Sequence, residues 1–370
     1  MNNKVFIVGG GPIGCFLAEQ LKECTIIEEH KKIGFPVQCT GLVSSNLFNL
    51  VSIPDNIILN KVEEAEIFFP NGKSIHFKGK AYVLDRASFD NYLYERASSY
   101  NNHFILGERV KFLSDHNLFT SQREIKISKG DIVVGADGPL SIVGKNIGIT
   151  NKVLPAYQVT LKGKFDPTSV QLYLGRDTAP NFFGWVVPED EKIARVGLAV
   201  PNNHHLYLKK LLSKLDYSKK VSSLGGLIPI DFHKYVSKNN FFLVGDAASQ
   251  TKASTGGGII TGLIAAKELA KAIENPNYDY DKNWYKVIGK DLKLAYFLRQ
   301  VFNRLNDQEL NELYNLASSE KFKSLLEAVA DMEYYSKFMN KLICFPTISY
   351  AFKTFIKHPS ITKDIFNFLI

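Results

Sequence analysis

Lys4-Val5-Phe6-Ile7-Val8-Gly9-Gly10-Gly11-Pro12-Ile13-Gly14 is the stretch that decides the fold. Lys4–Val8 is a short apolar run of strand type, and Ile13–Lys22 beyond the glycines has helical spacing. Cys24–Glu28 reads as a second strand, so the opening of the chain predicts a βαβ unit. Within it, Gly9-x-Gly11-x-x-Gly14 has the spacing of a dinucleotide fingerprint. Gly9 permits the tight turn, Gly11 lets backbone approach a pyrophosphate, and Gly14 lets the helix pack close to the strand. Free amides and the positive end of the helix then face the phosphates. Glu28, ending the second strand, is placed to accept hydrogen bonds from a ribose.

Two further strands end in acidic turns: Ile132-Val-Val-Gly135-Ala136-Asp137-Gly138 and Phe241-Phe-Leu-Val-Gly245-Asp246-Ala247-Ala248. Thr255-Gly256-Gly257-Gly258-Ile259 then opens a predicted helix, Gly258–Ile273. Between these signals, Lys31–Ser45 is a loop broken by Gly34, Pro36 and Gly41, and Glu66–Phe77 is a hairpin around Asn71-Gly72. Leu84–Ser99 reads as a helix capped by Asp85. From Tyr157 to Val200 apolar and polar residues alternate, which predicts an antiparallel sheet with one solvated face. From Asp281 onward the chain reads as helical. The expected class is α/β, α+β overall. A Rossmann-like domain is split between 1–150 and 231–275, and hairpin 62–80 of its first part joins an antiparallel substrate sheet at 151–230. A helical region, 276–370, completes the chain.

A chain of 370 residues exceeds one small module. With 45% hydrophobic and 22% charged residues, disordered, collagenous and coiled-coil classes are excluded. Lys and Arg outnumber Asp and Glu by 45 to 37, a surplus suited to an anionic partner such as membrane headgroups or a phosphorylated ligand. No basic run is interleaved with base-stacking aromatics, so nucleic acid is not expected. Met1–Lys4 forms no signal-peptide body, and no apolar run reaches the length of a membrane span, about 18 residues. Cys15, Cys24, Cys39 and Cys344 are too scattered for a disulfide framework, and no metal site is read. Cys15 and Cys24 read as small buried hydrophobes. The expectation is a cytoplasmic chain that rests on the inner face of the cell membrane.

The three glycine-and-acid turns, in this order, resemble the FAD-dependent oxidoreductases of the p-hydroxybenzoate-hydroxylase-type fold. That resemblance implies FAD as cofactor, with Asp246 at the ribityl chain and the Asp137-Gly138 turn supporting the flavin. The group's Ser-x-x-Arg reads Ser141-Ile-Val-Gly144 here. Bare amides at Thr255–Ile259 would face the flavin pyrimidine edge and stabilise the charge that develops on reduction.

The loop Ile33-Gly34-Phe35-Pro36-Val37-Gln38-Cys39-Thr40-Gly41-Leu42, with Phe183-x-Trp185-x-Val187-Pro188 and Gly197, resembles the geranylgeranyl reductase family. Thr40 stands where that family has glycine, Phe183 where it has Tyr, and Val187 where it has Phe. By this likeness Ile13, Gln38, Cys39, Gly41, Arg86 and Val110 join Gly9, Gly11, Gly14, Glu28, Asp137, Gly138, Asp246, Gly257, Gly258 and Ile259 around the cofactor. The Arg86 guanidinium suits a pyrophosphate. Cys39 is the expected catalytic residue, donating a proton or adjusting flavin reactivity. Phe183 and Trp185 either wall a lipid tunnel or fill a sheet core. The implied activity is saturation of isolated double bonds in prenyl chains of archaeal ether lipids, with ferredoxin or a reduced nicotinamide as electron donor. No second dinucleotide fingerprint points to a dedicated NADPH domain. Lys341–Pro346 and Tyr350–Lys357 read either as an amphipathic basic surface for headgroups or as a helical cap that buries its aromatics on the flavin domain. Two rival readings are an FAD-dependent aromatic monooxygenase or halogenase, and a non-catalytic prenyl-lipid escort.

Overall fold

In the computed structural model, which describes residues 3–114, 116–319 and 333–336, the opening run forms β1 (Val5–Val8), α1 (Pro12–Leu21) and β2 (Thr25–Glu28). β3 (Leu42–Ser44) leads to a long hairpin, β4 (Ile58–Phe68) and β5 (Ser74–Leu84). Helix α2 (Arg86–Ser98) starts at Asp85, whose carboxylate accepts the Ala87 and Ser88 amides as its cap. β6 (His103–Leu106), the meander β7 (Val110–Leu113), β8 (Asn117–Thr120) and β9 (Glu124–Lys126), then β10 (Ile132–Gly135) and α3 (Ile142–Ile147) follow. β11 (Val153–Gly163), β12 (Ser169–Tyr173), β13 (Gly184–Pro188), β14 (Ile193–Ala199), α4 (His204–Leu212) and β15 (Tyr217–Pro229) make the middle of the chain. β16 (Ser237–Lys238), β17 (Phe241–Leu243), α5 (Ile259–Glu274), α6 (Tyr280–Trp284), α7 (Lys290–Phe302) and α8 (Asp307–Ala317) follow.

The first sheet has the order β16-β17-β10-β1-β2-β6. All its pairs are parallel except the edge pair β16–β17. A parallel sheet covered on both faces needs unbroken apolar runs, and Phe6, Ile7, Val8, Ile26, Ile27, Val133, Val134 and Leu243 are accordingly buried. Helix α1 packs against α2 and α5. Because β2 and β10 flank β1 on opposite sides, the strand order reverses at β1, and the glycine turn leaves its carboxyl end. Ligands bind at such reversals in open α/β sheets.

The second sheet, β15-β11-β14-β13-β12-β4-β5-β3, includes the β4–β5 hairpin. Two expectations need correction. The sheet is not wholly antiparallel, because β4 and β12 pair in parallel; being far apart in sequence, they are free of hairpin geometry. Nor is one face solvated at its centre: every residue of β13 and nearly all of β14 are buried. Leu208 and Leu211 of α4 cover Val186, Val196 and Leu198 on one side, while Trp185, Val187 and Ala199 face Val62, Val83 and Phe182 on the other. Among the described residues, no helix is long and apolar enough to cross a membrane. The basic segments Lys341–Pro346 and Tyr350–Lys357, and Cys344, lie outside the described residues.

Candidate functional site

The fingerprint glycines divide by physical cause. Gly9 has φ +104°, and a Cβ there would stand 2.3 Å from the Ala136 carbonyl oxygen. At Gly14 the same atom would meet the Gly9 oxygen at 2.0 Å. These two glycines are required by the chain's own packing. Gly11 is different: φ is −68° and nothing lies within 4 Å of a Cβ built on it. It caps α1 without any side-chain hydrogen bond, beside open space. That space fits a diphosphate cradled by helix-terminal amides.

Glu28 Oε2 accepts the Gly10 amide at 2.7 Å, and Oε1 accepts the His30 amide at 2.8 Å and meets His30 Nδ1 at 2.6 Å. Each carboxylate oxygen has two lone pairs, so capacity remains for a hydroxyl. Val110 is buried in the neighbouring meander, joined to β2 where the Glu108 amide donates to the Glu28 carbonyl at 2.9 Å. Ile13 packs under α5, where a Cβ on Gly262 would touch its Cδ1 at 2.7 Å.

Asp137 is engaged by its own turn, its two oxygens accepting the Ser141 hydroxyl at 2.6 Å and the Ile142 amide at 2.7 Å. It therefore helps cap α3. Gly138, at φ +76°, borders open space. Gly144, which replaces the Arg of the related pattern, donates its amide to Ser141 Oγ at 2.8 Å and lies inside that helix. Asp246 Oδ1 accepts the Thr251 hydroxyl at 2.6 Å, and a Cβ on Gly258 would sit 2.9 Å from that oxygen. Burial pushes the Asp246 carboxyl above the usual range, with the Thr251 hydroxyl and the Arg86 charge pulling the other way.

Arg86 is buried and bound to Asp90 through Nε and Nη2 at 3.0–3.1 Å. Burial works against its charge, but Asp90 and the Cys39 sulfur outweigh it and hold the guanidinium above its ordinary pKa. Cys15 and Cys24 are buried as expected, and burial pushes the Cys24 thiol up to about 12.

Cys39 is half-buried and lines a cavity of about 250 Å³ between the second sheet and the glycine turn that leads into α5. Gln38, Gly41, Phe183, Trp185, Gly257, Gly258 and Ile259 share that cavity, so motifs far apart in sequence converge there. Cys39 Sγ accepts the Gly41 amide at 3.3 Å, and Gly41 itself has φ +77° with the Leu84 carbonyl 2.7 Å from where a Cβ would be.

Sequence reasoning missed the residues that hold this loop. Arg195 Nη1 donates to the carbonyls of Thr40 and, at 2.9 Å, of Leu84, while its Nε donates to Glu189 at 2.6 Å. Gln158 Oε1 accepts both the Thr40 hydroxyl at 2.7 Å and the Trp185 indole N–H at 3.0 Å. The substitution of Thr40 for glycine thus gains a hydrogen bond to the strand that carries Gln158. A charged residue inside the apolar alternation Ala194-Arg195-Val196 was the available signal.

Trp185 packs in the sheet core and also faces the cavity. Phe183 stacks on Phe182 at 4.2 Å and meets Trp185 edge-on at 6.2 Å. Gly197 pairs with Trp185 across the sheet, and a Cβ on it would lie 2.5 Å from the indole ring. Gly197→Ala should therefore displace Trp185 at a cost of about 1–3 kcal/mol. A thermal melt reads the loss, and an unchanged melting temperature would show that the ring has room to move.

A family model described as the geranylgeranyl reductase catalytic domain matches residues 153–225. An uncharacterised protein of Methanocaldococcus jannaschii is 30% identical over 357 residues, spanning 89% of this chain and 92% of the relative. The digeranylgeranylglycerophospholipid reductase of Methanosarcina acetivorans is 27% identical, spanning 87% of this chain and 90% of that enzyme. Among solved structures, a geranylgeranyl bacteriochlorophyll reductase-like protein from Thermoplasma acidophilum superposes with a TM-score of 0.76 at 22% identity, covering 91% of this chain and 98% of its own. The flavin-dependent halogenase CmlS shares the fold at a TM-score of 0.66 and 16% identity, over 88% of this chain and 72% of its own. Sequence relatives along nearly the whole length, and a catalytic-domain match over the strands that carry Gln158, Trp185 and Arg195, give one answer: the chain belongs to the geranylgeranyl reductase family.

Proposed function

We propose that this chain holds FAD and saturates the isolated double bonds of geranylgeranyl chains on archaeal ether phospholipids. One observation carries the reading: a thiol, an aromatic and aliphatic wall, and a glycine turn with a helix start border the same cavity. Room beside Gly11 for a diphosphate, and an aspartate packed against the start of α5, suit FAD in particular.

An isolated alkene has no carbonyl to carry negative charge, so an oxyanion hole has nothing to grip. Reduction must instead combine a hydride with a proton in a dry site. FAD, when bound, would supply the hydride, with a ferredoxin or a reduced nicotinamide as the outside source of electrons. Gly11 and the start of α1 would hold the diphosphate, Glu28 the ribose, and Asp246 with Gly257 and Gly258 the flavin end. Arg86, kept charged by Asp90, adds a fixed positive centre beside Cys39. Cys39 Sγ gives its proton to one alkene carbon and is reprotonated from water at the cavity mouth. Phe183, Trp185, Leu172 and Val187 align the chain and exclude water. The surplus of basic residues suits a chain that meets its substrate at a membrane surface.

Incubation of the reduced, FAD-loaded protein with vesicles of digeranylgeranylglycerophospholipid under anaerobic conditions tests this. Mass spectrometry should find lipids heavier by one dihydrogen per saturated bond. Unaltered lipid in the presence of fully reduced flavin would refute the activity. Oxygen uptake stimulated by an aromatic substrate would move the assignment to a monooxygenase.

A further inference from the structure

None of the steps above uses a buried ion pair on the cavity wall. Lys252 Nζ lies 3.0 Å from Glu333 Oε1, and their side chains are only 6% and 2% exposed. Glu333 Oε2 accepts the Ser44 hydroxyl at 2.5 Å and the Asn46 side-chain amide at 2.7 Å. Lys252 belongs to the glycine turn: its amide donates to the Gly257 carbonyl at 3.0 Å, and its carbonyl accepts the Gly256 amide at 2.7 Å. A Cβ built on Gly257 would stand 2.9 Å from Lys252 Cε and 3.2 Å from Nζ, with Thr255 Oγ1 next at 3.7 Å. The ammonium is therefore nearer the turn than the Glu333 carboxylate is. A buried pair of this kind is a poor source of stability, since well-packed apolar residues often serve as well or better. Its position against the turn calls for a different explanation.

We infer that Lys252 sets the reduction potential of the flavin: its ammonium, held at the glycine turn by Glu333, favours the negative charge that reduction places there. The inference rests on the flavin reading above. In a site with few competing polar groups, a fixed cation acts with little screening and makes electron uptake more favourable. The Glu333 carboxylate, farther from the turn, acts in the opposite sense and moderates the effect. The two halves of the pair thus pull the potential in opposite directions, which a packing role does not produce.

The experiment is a spectroelectrochemical titration of FAD-loaded full-length protein as wild type, Lys252→Met, Lys252→Arg and Glu333→Gln. Lys252→Met should move the reduced-to-oxidised ratio at fixed potential at least tenfold toward oxidised, which for a two-electron couple is about 30 mV. Lys252→Arg should stay near wild type, and Glu333→Gln should shift toward reduced. If Lys252→Met fails to fold because it buries the Glu333 carboxylate without the Lys252 charge, the neutral double variant Lys252→Met/Glu333→Leu carries the measurement, with the same sign expected. Unchanged potentials in folded yellow variants, or shifts of one sign for both partners, would overturn the inference. A colourless wild type would instead overturn the flavin reading, before any potential is measured.

Discussion

Gly11→Asp is expected to weaken FAD binding at least a hundredfold while leaving the apoprotein as stable as before, or slightly more so. The two effects separate because Gly11 has no packing role: its φ of −68° suits any residue and no atom lies within 4 Å of the added Cβ. Gly11 is also the cap of α1, which carries no side-chain hydrogen bond there, and aspartate ranks above glycine at that position. The carboxylate, however, would occupy the space where a diphosphate meets the helix-terminal amides. Two like charges about 4 Å apart repel by about 1–4 kcal/mol, depending on local polarity. Lost amide contacts add to this, and a hundredfold change in affinity is about 2.7 kcal/mol. Flavin absorbance after dialysis, with a thermal melt of the apoprotein, reads both quantities. Undiminished flavin retention would mean that the phosphates lie elsewhere. Loss of folding would mean that Gly11, like Gly14, serves packing.

What could be read in advance follows from which forces leave a local trace. Strands β1, β10 and β17 were legible because a parallel sheet covered on both faces demands unbroken apolar runs, and a glycine turn after β1 and acidic turns after β10 and β17 lie directly beside them. Strand β15 was not, since its first half, Tyr217–Ser223, is exposed at the sheet edge and held to β11 by backbone pairing, which puts little constraint on side chains. The parallel joining of β4 to β12, and the burial of both faces at β13, depend on where distant segments land. The same limit hid half of the site. Cys39 stands out in a loop of glycine and proline, and Arg195, which holds the Thr40 carbonyl, leaves only the trace of a charge inside an apolar alternation, while Glu333, which reaches Lys252, is an ordinary charged residue until the fold brings it in. Asp137 combines two roles that a sequence cannot separate: its turn reads as a ligand motif, and in the fold both of its oxygens accept from the start of α3.

Cys39→Ala should keep FAD bound and slow alkene reduction at least tenfold, a barrier increase of about 1.4 kcal/mol. The sulfur's one hydrogen bond in the loop is the Gly41 amide at 3.3 Å, a long and weak contact. Arg195 and Gln158 hold the neighbouring Thr40 by its carbonyl and hydroxyl, so the loop keeps its course without the thiol. What the variant removes is a proton at the cavity surface. Of the other polar groups on that cavity, the Thr40 hydroxyl donates to Gln158 Oε1, an oxygen shared with the Trp185 indole, and the Lys252 ammonium is paired with Glu333, so neither stands in for the thiol. Cys39→Ser keeps a proton on a less acidic group and should be slow as well, since a hydroxyl is a poorer donor to carbon. The measurement is single-turnover oxidation of the reduced flavin by lipid substrate under anaerobic conditions, in ordinary and heavy water. Wild type should show a solvent isotope effect. In Cys39→Ala that effect should change together with the rate, because the proton then comes from water. Equal rates and equal isotope effects in the two proteins would remove Cys39 from the chemistry and leave it as a residue that shapes the loop beside Arg86.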